Sequence, residues 1–171
     1  MIALRMVAFV LGALVLQSAL VRVVGDGAVD LGLVAVVSVA LLHGRVAGLL
    51  AGTLAGLVQD ALGGGVLGMS GLGKSIAGYL TGVVGTQFIV TQTVSRFLVF
   101  LGATVVNRGL FVGLSVLLGL RRYDRPFLDV AVQGVGNAVI GVLLFQVIES
   151  LPGAREWWRT VLERRRKRRF H

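Results

Sequence analysis

Glycine recurs at every fourth residue from Gly44 through Gly48 and Gly52 to Gly56, and few folds tolerate that. An interior glycine costs a helix in water about 1 kcal/mol relative to alanine. Such a ladder is useful where a second helix must approach the backbone closely inside a bilayer. The spacing returns at Gly78 and Gly82. Between the two runs, Asp60, Gly63, Gly64, Gly65 and Gly68 are placed to stop the first helix and turn the chain. The stretch from Gly44 to Gly85 is therefore expected to form two antiparallel helices, packed through the groove that Gly44, Gly48, Gly52, Gly56, Gly78 and Gly82 leave open.

Composition places the whole chain in the same solvent. Hydrophobic residues make up 56% of its 171 positions and the mean hydropathy is +0.88, above the 45–50% apolar usage of ordinary soluble domains. The fold class that follows is an all-α integral membrane protein of about six transmembrane helices, since a span takes about 20 apolar residues. They are expected over 2–24, 29–42, 44–61, 69–88, 95–120 and 127–150, the second being short for a span. Strands are not expected, because the apolar runs are long and lack a period of two. Residues 1–151 read as the membrane domain and 152–171 as an amphipathic, polybasic tail. Met1 to Val21, with Arg5 as its charge, has the outline of a signal peptide, but LVRVVGDG after it offers no small-x-small site. It is expected to stay as the first helix.

The formal charge of +9 comes largely from the tail, where Arg164, Arg165, Arg166, Lys167, Arg168 and Arg169 run without interruption. Such a block belongs on the cytoplasmic side. An even number of spans then puts the amino terminus there as well, in agreement with Arg5, Arg45 and Arg96, while Arg121, Arg122 and Arg125 run against the rule and keep five spans open. Trp157 and Trp158, each four residues before Val161 and Leu162, give the tail one apolar side that suits the headgroup region. Anionic lipids are the partner this predicts. One basic run without a folded domain does not predict nucleic acid.

Polar residues inside the apolar runs are the candidates for function. Arg108 falls near the centre of the fifth span beside Asn107, and Gln133 and Asn137, one helical turn apart, reach a comparable depth on the sixth. A charge at mid-bilayer is costly unless it faces protein or water. These four are expected to form a cluster, with Gln133 and Asn137 as partners of Arg108. Asp60, near the outer end of its span, is expected either to cap a helix end or meet headgroups or, the favoured reading, to pair with Lys74 across the glycine turn, with Tyr79 nearby on the next helix. There is no cysteine, and His43 and His171 do not make a metal site. Gly68 to Ser75 satisfies the spacing of a phosphate-binding loop, but such a loop follows a strand in a soluble domain, and no hydrolase or zinc-protease pattern is present. Neither catalysis nor a cofactor is expected.

One family combines these features. GLVQDALGGGVLGMSGLGKSIAGYLTG resembles the rod shape-determining protein MreD family, in which a glycine-spaced helix ends in aspartate and a glycine-rich loop, Leu-Gly and a Gly-Tyr-Leu-x-Gly helix follow. The matching residues are Gly52, Gly56, Asp60, Gly65, Leu67, Gly68, Gly78, Tyr79, Leu80 and Gly82. Asp30 resembles the family's early aspartate, with Val29 where proline is usual, and Lys74 is unusual at its place. The resemblance implies a scaffold of the cell-elongation machinery in the bacterial inner membrane. Its implied partners are MreC and, through it, the peptidoglycan synthase and transpeptidase. It also implies a six-helix fold similar to the substrate-binding subunits of energy-coupling-factor vitamin transporters. That similarity opens the alternative of a small-molecule or lipid binder whose cavity is lined by Asp60, Lys74, Tyr79, Arg108 and Asn137.

Overall fold

The computed structural model describes residues 2–24, 29–64, 66–87, 92–119 and 126–150. They form six helices: α1 (Ile2–Val24), α2 (Leu31–His43), α3 (Arg45–Gly63), α4 (Met69–Gln87), α5 (Thr93–Leu117) and α6 (Pro126–Ser150). Among the described residues, four stretches are long and apolar enough to cross a bilayer, namely Ala3–Val21, Arg45–Gly63, Thr93–Leu117 and Val130–Val147. The exterior is apolar, with Leu4, Val15, Leu62 and Leu117 all more than 70% exposed, whereas Lys74, Asp30, Arg96, Thr104, Asn107 and Asn137 are buried. Polar inside and apolar outside is the pattern that lipid, rather than water, selects. The protein is an all-α, multi-pass membrane protein.

The short second run is short for a structural reason. Its 13 residues have no polar face, and every position from Gly32 to Leu41 is buried, as expected of a helix that is apolar all round. It touches α1, α3, α4, α5 and α6. One side supplies Leu33, Val34, Val37 and Leu41 to a core shared with Ala77, Phe100, Ala103, Ala138 and Phe145. The other supplies Ala35, Val36 and Val39 against Val10, Leu14, Ala51 and Ala55. α2 is therefore the axis of the bundle.

Around this axis α3 and α4 make the most intimate pair, through the predicted glycines. A Cβ at Gly52 would overlap the Lys74 carbonyl, one at Gly56 the Gly71 backbone, and one at Gly48 the carbonyl of Gly78. Gly82 lies against the backbone of Gly44 and Arg45. Gly44 meets Gly82 in this contact but stands just outside α3. It is the corner between α2 and α3, at φ 92° and ψ −175°, a conformation open essentially to glycine alone. Its N–H closes the last turn of α2 on the Ala40 carbonyl at 2.9 Å, and its carbonyl accepts from Gly48 at 3.0 Å. α3 ends where the sequence indicates, with Gly64 left-handed at φ 63°.

Candidate functional site

Where α2 begins decides what surrounds it. Its first residues lie beside Gln17, seven residues before α1 ends at Val24, so the start of α2 sits about 10 Å below that end at 1.5 Å per residue. The free N–H groups of a helix start need acceptors, and lipid supplies none. Three side chains provide them. Gln17 Oε1 accepts from Leu31 N at 2.7 Å, while its Nε2 donates to the Val29 carbonyl at 2.9 Å. Asp30 Oδ1 accepts from Leu33 N at 2.9 Å as the helix cap. Asn137 Oδ1, on α6, accepts from Asp30 N at 2.7 Å.

The other oxygen of Asp30 takes the Lys74 ammonium in an ion pair whose side chains are 8% and 2% exposed. This corrects the expected pairing of Lys74 with Asp60. Both Asp60 oxygens are already committed, Oδ2 to Gly68 N at 2.8 Å and both to Ser70 N at 3.1 and 3.3 Å. From the last turn of α3, Asp60 therefore caps the start of α4, where a carboxylate also meets the positive end of the helix dipole. The sequence carried a signal for the real partner, since Asp30 stands directly before the fully apolar helix and is the natural cap there.

Asn137 extends the network to α5. Its Nδ2 donates to Thr104 Oγ1 at 3.1 Å, and that hydroxyl donates to the Phe100 carbonyl at 2.9 Å. Side chains from α1, α2, α4, α5 and α6 thus meet in one chain of hydrogen bonds around a single ion pair. The expected cluster divides in consequence. Arg108 Nε donates to Gln133 Oε1, as expected, but Asn137 belongs to Asp30 and Thr104 rather than to Arg108. Asn107 faces α4, its Oδ1 2.8 Å from where a Cβ of Gly73 would stand. That oxygen and Gln59 Oε1 are buried with no hydrogen-bond partner among the described residues. Tyr79 is 38% exposed on the outer face of α4, so it lines no interior site.

Two features were not anticipated. Gln17 carries no motif, although an amide inside an apolar helix is itself a signal of buried pairing. Arg96, expected at a cytoplasmic helix end, is 3% exposed, and its guanidinium lies 4.8 Å from the centroid of the Phe145 ring. Phe145 in turn meets Phe100 edge-on at 6.2 Å. Trp157, Trp158 and the basic run from Arg164 to Arg169 lie outside the described residues.

Chemically, the centre is a neutralised charge pair whose neighbouring donors and acceptors are used to join helices. It is a polar knot that ties five helices together. No protein-family model, no curated protein and no solved structure matches the chain.

Proposed function

We propose that the protein is a non-enzymatic membrane scaffold of the bacterial cell-elongation machinery, of the MreD type, that binds the single-span protein MreC and so supports the peptidoglycan synthase and transpeptidase. The observation that carries the reading is that Gly52, Gly56, Asp60, Gly68, Gly78 and Gly82 of the resemblance form one structural unit. Gly52 and Gly56 close onto α4, Asp60 caps it through Gly68 N and Ser70 N, and Gly78 and Gly82 complete the contact with α3. A motif spread over α3, the turn and α4 is thus accounted for by one tightly joined hairpin.

The knot around Asp30 and Lys74 favours a scaffold over a small-molecule or lipid binder. Of the residues assigned to a cavity, Asp60, Lys74 and Asn137 are committed to internal partners and Tyr79 faces outward. In this reading the protein lies in the inner membrane with both termini cytoplasmic, and its basic tail rests on anionic lipid. Purification from mild detergent tests it. A stoichiometric single-span protein carrying an extracytoplasmic domain is the expected companion, and recovery of a retained small molecule without any protein would reverse the choice.

A further inference from the structure

Arg108 has more hydrogen-bonding capacity than the described residues use. A guanidinium carries five N–H donors, and among the described residues the acceptor it meets is the neutral amide of Gln133. No carboxylate of the described residues pairs with it, in contrast to Lys74. Arg108 is part-buried and stands fifteen residues after the start of α5 and nine before its end. At 1.5 Å per residue that is about 22 Å and 13 Å from the two ends. Helical side chains lean toward the amino-terminal end of their helix, which carries this one further from the nearer surface. A lipid phosphate is out of its reach.

Among the described residues, nothing covers the helix face beside it. Gly102, Gly109 and Gly113 have no atom within 4 Å of where a Cβ would stand. Leu98, Val105 and Val116 share that face and are 59%, 50% and 63% exposed. Between α3 and α4 the protein fills such gaps, since Gly48, Gly52, Gly56, Gly78 and Gly82 are all met by backbone. On α5 the glycine notch is left open, with Arg108 one position before Gly109 on the flank that turns toward α6.

We infer that this face of α5 docks a transmembrane helix of a different protein, and that the helix carries a carboxylate at the depth of Arg108. A cation that no carboxylate of the described residues neutralises selects the partner's charge, and the glycines allow it to come close enough to pair. A second copy of this chain is the wrong occupant, because a two-fold contact through α5 would oppose two Arg108 side chains. The inference rests on the scaffold reading for its expectation of a membrane partner.

The test uses the full-length protein in lipid bilayers with synthetic Leu/Ala transmembrane helices that carry Glu, Gln, Lys or Leu at the centre of an alanine-lined face, binding being read by energy transfer. The Glu helix is expected to bind about tenfold more tightly than the Leu helix, the ratio of one charge-assisted pair. Arg108→Gln should erase that preference, and Arg108→Glu should transfer it to the Lys helix. Gly109→Leu, which meets open space in the protein's own fold, should weaken binding while leaving thermal stability unchanged. Equal binding of Glu and Leu helices, a preference that survives Arg108→Gln, or energy transfer only between copies of the protein overturns the inference. Detergent purification of the same variants separates the two readings. If wild type and both Arg108 variants retain the native single-span partner equally, the scaffold stands and the α5 site fails; if wild type retains none, the scaffold reading fails while the peptide measurement still decides the α5 site.

Discussion

The Lys74 ammonium, in the second turn of α4, is paired with the Asp30 carboxylate that caps α2, across 44 residues of chain. Lys74 is 1% exposed and Asp30 5%, so neither charge has water to return to if the other is removed. Asp30→Asn keeps an oxygen that can accept from Leu33 N but leaves Lys74 uncompensated, and Lys74→Met does the reverse. Each single substitution is expected to destabilise by about 3–5 kcal/mol. The double variant should recover at least about 1 kcal/mol relative to the sum. Steric trapping in bicelles measures all three, and strict additivity would remove the pair from the account of stability.

The glycines of α3 and α1 should respond in opposite ways to one added methyl group. A Cβ at Gly52 or Gly56 runs into the backbone of α4, which has no flexible end to move aside. Gly52→Ala or Gly56→Ala is expected to cost about 1–3 kcal/mol, as overpacking does. At Gly12 nothing lies within 4 Å, so Gly12→Ala should be neutral or stabilising by up to about 1 kcal/mol. Melting curves of the three variants in one detergent check the contrast, and equal shifts at Gly12 and Gly52 would refute close packing of α3 on α4.

Asp60 is expected to act locally. Asp60→Ala releases Gly68 N and Ser70 N at the first turn of α4, at a cost near that of losing a helix cap, about 0.5–2 kcal/mol. Hydrogen exchange should quicken at Ser70 and its neighbours while the middle of α2 stays protected. Protection lost uniformly through the bundle would show that Asp60 supports more than this cap.

Much of the fold was legible because it depends on local chemistry. Runs of apolar residues set the helices, Gly64 and Gly68 set the turn, and the four-residue glycine spacing on α3 and α4 set their contact. What escaped was the third dimension of the polar residues. Asp60 and Lys74 look like partners because they are 14 apart across a turn, yet Asp60 is consumed by the nearer N–H groups it finds at the start of α4. That leaves Lys74 for a carboxylate brought in by the central position of α2, which the sequence shows only as a run too apolar to have a solvent face and too short to span. Gln17 escaped for the same reason, since its role exists only once α2 starts below the end of α1.

The α5–α6 contact offers the last test, because depth alone suggested that Arg108 would share Asn137 with Gln133. The geometry instead assigns Gln133 to Arg108 and gives Asn137 to Thr104 and Asp30. Residues in one hydrogen-bonded group couple by about 0.5–3 kcal/mol, whereas residues without shared partners add. Arg108→Leu with Gln133→Leu should therefore couple, as should Asn137→Leu with Thr104→Val. Arg108→Leu with Asn137→Leu should be additive within about 0.5 kcal/mol. The single substitutions do not discriminate, since each strands a buried or part-buried polar partner and lowers stability for that reason alone. Thermal unfolding of the four singles and three doubles settles the arrangement. Coupling between Arg108 and Asn137 with additivity between Asn137 and Thr104 would mean that the polar groups of α5 and α6 are one cluster rather than two.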